Sequence, residues 1–283
     1  MVSVRGFLGI GLICSALSLS GISQNNLEPD LSRFELMESA LKNNEHSFTV
    51  EYVSRLEDIF GVEGRDAAMG RLHDLFSDVY SSFTPHSKRS PEEALDFFTT
   101  VDSLFKDHGL RNTDGMFLNE KLADRFNGIA CFHRSLVFNT LGKVYPFSIR
   151  PVIASDDHIF VRYESPSLDT VINWETTSGE SLPDSHYIEK YGLSEHALQS
   201  GSYLRSLSDT ESLATVYRYM GAALKEDSGT VDDVLWFTRK AYSLDTTRLA
   251  SLYALSMNHS DFGDVDSAYA YLDKAYALDT ANA

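Results

Sequence analysis

The chain has 283 residues, 43% of them hydrophobic and 12% aromatic, with few prolines and glycines, which supplies a packed core and excludes a disordered composition. The formal net charge is −17 and no basic cluster interrupts it. A surface of that sign repels phosphate backbones, so nucleic acid is excluded as a partner.

Residues 1–23 read as an export segment. Arg5 supplies the positive start, Gly6 to Ser20 is apolar or small, and Gly21 and Ser23 flank Ile22 ahead of a cut before Gln24. The protein is therefore expected to be periplasmic or secreted. A retained anchor over residues 6–22 is the alternative, and the only expected contact with a membrane, but the apolar run is short for a ~20-residue span. Cys14 follows the bulky Ile13, a poor context for lipid modification. Its removal with the segment leaves Cys131 as the lone cysteine, without an intramolecular disulfide in an oxidising compartment.

Residues 24–109 read as a helical region. Asp30–Met37 and Val50–Phe60 carry apolar positions three or four apart. Ser90-Pro91-Glu92-Glu93 has the pattern of a helix start, with Ser as N-cap, Pro in the first turn and Glu at the third position. Phe97, Phe98, Val101, Leu104 and Phe105 follow, and Gly109 predicts the end.

Residues 110–204 change texture. The Gly-containing turn at Asn127–Ala130 leads into a helix from Cys131 that Gly142 is expected to close. Val144–Ile153, Ile159–Tyr163 and Thr170–Glu175 are rich in β-branched and aromatic residues and predict strands, with a hairpin loop around Pro166 and turns at Ser178-Gly179-Glu180 and Leu182-Pro183-Asp184. Residues 205–283 are helical and repetitive. Gly229–Thr246 and Gly263–Thr280 align at an offset of 34 residues with nine identities, among them Ala241/Ala275 and Leu244/Leu278. That period, with a small Ala in the second helix, resembles degenerate tetratricopeptide repeats, whose groove takes a protein partner.

Candidate chemistry centres on Cys131. A thiol is nucleophilic as thiolate, which a helix N-terminus and a neighbouring imidazolium both favour. The backbone amides of Ala130 and Cys131 would face an oxyanion forming on an attacked carbonyl. Downstream, strand alternation puts His158, Phe160 and Arg162 on one face, and Asn173 and Glu175 on one face of the next strand. His158 is the candidate base and Glu175 the candidate acid that orients it, with Asn173 as the alternative third member. Trp174 is expected to point away from the site. Arg150 and Arg162 are read as strand-edge ion-pair partners. His133 lacks a second Cys or clustered His, so no metal and no cofactor is expected. A buried structural thiol is the bland alternative for Cys131.

At the Cys131 helix start, Asp157-His158-Ile159-Phe160-Val161-Arg162 and Ile172-Asn173-Trp174-Glu175-Thr176-Thr177-Ser178-Gly179, the chain resembles the transglutaminase-like superfamily of papain-type thiol enzymes. Within it, the chain is similar to the SirB1-type group, a transglutaminase-like core followed by tetratricopeptide repeats. The resemblance covers about residues 110–283 and implies an α+β fold, a Cys-bearing helix on a small antiparallel sheet. It also implies Cys131 as nucleophile, His158 as base and Glu175 as third member, acting on peptide or isopeptide bonds by hydrolysis or transfer to amines. This chain differs from many relatives in Phe132-His133-Arg134 after the Cys and in Glu rather than Asp as the acid. The second reading is a catalytically inactive scaffold that binds a protein through its repeats.

Overall fold

The computed structural model describes residues 64–83, 90–110, 130–145, 147–156, 158–226 and 230–281. The expected export segment, the stretches 30–37 and 50–60, the turn at 127–129 and Asp157 lie outside them. The described residues, all from 64 onward, belong to one compact unit. Among the described residues no helix is long and apolar enough to cross a membrane.

The fold is α+β. Two helices, α1 (Arg65–Ser82) and α2 (Pro91–Asp107), precede the Cys helix α3 (Cys131–Val144). A four-stranded antiparallel sheet follows in the order β1 (Ile149–Ser155), β2 (His158–Ser165), β3 (Thr170–Glu175) and β4 (Glu180–Ser181). Short helices α4 (Asp184–Tyr191) and α5 (Glu195–Gln199) lead to four longer ones: α6 (Asp209–Glu226), α7 (Val231–Leu244), α8 (Leu249–Asp261) and α9 (Val265–Ala281).

Local chemistry explains several boundaries. The Ser90 hydroxyl accepts from the Glu93 amide at 3.3 Å and Pro91 occupies the first turn of α2. Gly109, at φ +69°, stands just past the end of α2. Gly142 does not end α3, which runs two residues further. A Cβ there would stand 2.9 Å from Ile149 Cβ, so this glycine lets the helix lie close on β1. Val144, expected as strand, belongs to the helix end, and β1 starts at Ile149.

α3 is buried on every side from Phe132 to Gly142, as a central helix must be. It packs on β1 and β2 across one sheet face. Its far side meets α2 through Phe138 against Phe98 and Phe105, and Phe132 stacks on Tyr219 of α6 at 4.4 Å. Phe98 in turn stacks on Trp174 of β3, 5.2 Å apart and 7° from parallel, so Trp174 points into the core. The opposite sheet face is covered by α4, where Tyr187 stacks on Phe160 at 4.2 Å, and by Leu204.

Helices α6 to α9 pack in succession, joined by short connections. α7 and α9 start 34 residues apart, and Ala241 and Ala275 are fully buried between helices. Thr230 and Asp233 form a reciprocal capping box at the start of α7.

Candidate active site

Cys131 is the first residue of α3. Ala130 before it is extended (φ −66°, ψ 162°), and no side chain caps the helix. The positive end of the helix dipole therefore falls on the half-buried thiol.

His158 opens β2 beside a β-bulge. Pairing with β1 runs from Ile149↔Tyr163 to Ile153↔Ile159 and resumes at Ser155↔His158, which leaves Ala154 as the extra residue. Bulges of this kind re-aim side chains at the end of a pair. Between β2 and β3 the register is Arg162↔Asn173 and Val161↔Trp174. It sets Glu175 diagonally across from His158 on the face that Phe160 shares, within side-chain reach.

The imidazole and the carboxylate meet. His158 Nε2 lies 2.6 Å from Glu175 Oε2. The Tyr187 hydroxyl donates to the same oxygen at 3.3 Å, and Thr177 donates to Oε1 through its amide at 3.0 Å and its hydroxyl at 2.6 Å. Glu175 is 4% exposed, so these four bonds are what make a buried carboxylate tolerable. Cys131 also hydrogen-bonds His158. The structure thus brings Cys131, His158 and Glu175 together.

Burial disfavours the charged imidazole, but the hydrogen bonds to Cys131 and Glu175 and the charges of both outweigh it. The His158 pKa is raised from 6.5 to about 9. For Glu175 burial acts upward, and its bond to His158 and those from Thr177 hold it below the usual carboxylate range. Burial and the Glu175 charge push the Tyr187 phenol up, so it stays a donor. Tyr191 lies over the imidazole, ring centroids 5.7 Å apart, and burial raises its phenol too.

The raised imidazole has a sign in stability. A group whose folded pKa exceeds its unfolded one stabilises fully below the unfolded value and loses that contribution as pH passes the folded value. Denaturant unfolding of the wild type is therefore expected to show stability falling between pH 6.5 and about 9, and His158→Gln to flatten that interval. An unchanged slope in the variant would remove the imidazolium from the folded state.

Asn173, the alternative third member, is committed elsewhere. Its Oδ1 accepts from Arg162 Nε at 2.7 Å, and its Nδ2 donates to Leu182 O at 3.0 Å and Asp184 Oδ1 at 2.7 Å. Arg162 also binds Leu204 O and Asp184, which occupies its guanidinium in the fold, whereas Arg150 is exposed. Glu175 is the residue on His158.

A second buried network stands behind the site. Asp102 of α2 accepts from Arg134 Nη2 at 2.7 Å and from Trp174 Nε1 at 2.8 Å. Arg134 also donates to Leu110 O at 2.8 Å and lies over the Phe105 ring. Arg134 is one turn past Cys131 and Trp174 adjoins Glu175, so one carboxylate ties the thiol's helix to the acid's strand. Burial raises the Asp102 pKa and lowers that of Arg134, each opposed by the other's charge.

No family model matches the chain, and no curated protein does. A solved structure of menin, described as revealing the binding site for Mixed Lineage Leukemia (MLL) protein, is similar with a TM-score of 0.44 and 13% identity over 88% of this chain and 69% of that one. A likeness so distant carries no argument about this chain.

Proposed function

We propose that the protein is a thiol acyl-transfer enzyme of transglutaminase-like type acting on peptide or isopeptide amides, with Cys131 as nucleophile, His158 as proton carrier and Glu175 as the acid that orients it. The observation that carries this reading is the double tether of His158, bonded to Glu175 at 2.6 Å and to Cys131. A buried, satisfied carboxylate and the half-buried thiol together fix the ring's orientation.

In this mechanism the Cys131 thiolate attacks the amide carbonyl carbon. A C–S bond forms, and the negative charge that moves to oxygen is met by the amides of Ala130 and Cys131 at the start of α3. The imidazolium of His158 gives its proton to the leaving nitrogen as the C–N bond breaks, leaving a thioester. Water or an amine then loses a proton to the imidazole as it attacks the thioester, and the thiolate returns.

A second role, partner binding by tetratricopeptide-like helix pairs, has its own support. On α9, Val265, Tyr269, Leu272 and Tyr276 form an exposed apolar stripe, and Tyr269 and Leu272 are exposed where their counterparts on α7, Leu235 and Thr238, are buried.

The test is acyl trapping. The full chain, incubated with a mixture of synthetic peptides and hydroxylamine as acceptor, is expected to give a thioester adduct on Cys131 by intact mass, and peptide hydroxamates. Cys131→Ala should give neither. If the wild type forms neither product with any peptide, the acyl-transfer reading fails.

A further inference from the structure

A cleft of ≈ 660 Å³ opens beside the site, with His158 in its wall but not Cys131. Its other walls include Tyr191, Leu193, Ala197 and Tyr203, with Asp156 at the rim. That size is ample for a ring and the backbone that bears it.

Its position relative to the two reacting groups has a chemical meaning. In acyl transfer the acyl carbon bonds to the thiol, and the leaving nitrogen takes its proton from the imidazole. A cavity on the imidazole side that omits the thiol therefore faces the leaving-group half of the substrate. Tyr191 links the cleft to the site, since it lines the one and its ring lies over His158 in the other.

The walls are built rather than incidental. Tyr203 donates its hydroxyl to Asp156 Oδ1 at 3.0 Å, which ties two of the walls together. The next residue, Leu204, is held at φ +55°, a left-handed conformation that a leucine adopts only under tertiary constraint. The constraint is visible: its amide donates to Ile153 O at 2.9 Å, its carbonyl accepts from Arg162 at 2.9 Å, and its side chain packs on Val152 and Phe160. Arg248 anchors the same segment by donating to Ser202 O at 2.7 Å.

Resting on the acyl-transfer reading, we propose that this cleft is the leaving-group subsite and that it selects an aromatic side chain. The rings of Tyr191 and Tyr203, with Leu193 and Ala197, supply aromatic and apolar surface among the polar walls Ser155 and Ser194, and an aromatic ring can stack there. Charge does not discriminate here, since Asp156 at the rim is offset by Arg218, which donates to its carbonyl, and by Lys190 over the Tyr191 ring.

Acylation of the full chain by thioacetates tests this without a known substrate. The Cys131 sulfur attacks the acetyl carbon, its new C–S bond replaces the one to the departing thiol, and that thiol takes its proton from His158, so the varied group sits on the leaving-group side. S-phenethyl thioacetate is expected to acetylate Cys131 about tenfold faster than S-ethyl thioacetate, and S-hexyl thioacetate to fall well short of it. Ala197→Trp, which fills the cleft, should abolish the phenethyl advantage, each rate being taken relative to S-ethyl thioacetate on the same variant. Tyr203→Ala should reduce the advantage and Tyr203→Phe should keep it. Equal rates for the phenethyl and hexyl reagents on a reactive thiol, or an advantage that survives Ala197→Trp, overturns the subsite and leaves the acyl-transfer reading standing. A thiol inert to every reagent overturns both.

Discussion

Replacing His158 with alanine is expected to slow iodoacetamide labelling of Cys131 at pH 7 by about 10- to 100-fold, with the thermal midpoint used to show that the fold survives. The argument rests on geometry. Thiolate is the reactive form of a thiol, and an imidazolium within hydrogen-bond reach favours it. His158 is held in its charged form by Glu175 at 2.6 Å and by the thiol itself, with a pKa raised to about 9. Glu175→Gln keeps an acceptor for Thr177 but removes the negative charge behind the ring, so its labelling rate should fall between wild type and His158→Ala. Stopped-flow labelling of the three proteins decides the matter. Equal rates within about twofold would mean that the imidazole does not act on the sulfur, which would then be a packed thiol rather than a nucleophile.

Asp102→Ala is expected to destabilise the protein by about 3–5 kcal/mol, because it strands the buried Arg134 charge and the Trp174 indole N–H. For a unit of this size that is a fall on the order of 10 °C in thermal midpoint. The double replacement Asp102→Leu with Arg134→Met should cost less than Asp102→Ala alone, since it removes both charges together. Calorimetry of the three variants checks the order. A single replacement that is silent would show that the clamp carries no weight. In the double variant, Cys131 labelling separates support of the site from bulk stability: the rate should fall even where the fold is retained, because the Cys helix is no longer tied to the Glu175 strand.

The parts of the fold that follow from local pattern were legible in the sequence. The α2 start rests on Ser90 and Pro91, the β2 and β3 strands on β-branched alternation, and the matched starts of α7 and α9 on their 34-residue offset. His158 and Glu175 share a face because strands alternate, and the hairpin between them is short. What the strand pattern leaves open is which of Asn173 and Glu175 reaches the imidazole, since both lie on that face. Register decides it, and Asn173 is drawn off by Arg162 and Asp184.

Gly142 was misread because a glycine near a helix end has two uses, and only the proximity of Ile149 distinguishes them. His186 and Tyr187, in a helical stretch, read as surface residues, yet Tyr187 is fully buried: α4 is eight residues long, too short for a period to declare which ring faces the core. Asp102 did leave a trace. It falls four residues after Phe98 and three before Phe105, on the apolar stripe of α2, where a carboxylate demands a buried partner. Arg134, buried within an otherwise central helix, is that partner.

The anchoring of the cleft wall bears on the order in which the chain is made. Cys131, His158, Glu175 and the Asp102 clamp all lie within the first 181 residues, with every strand of the sheet. The bonds that brace the cleft from the far side arrive later, from Arg218 to Asp156 O and from Arg248 to Ser202 O. A nascent chain emerging N-terminus first therefore contains its thiol and imidazole before the residues that brace the adjoining wall. On the proposed subsite, the helices from 209 onward buttress a cleft whose lining residues end at Tyr203, and a chain shortened ahead of Arg248 is expected to keep a reactive thiol while losing its discrimination between substituents.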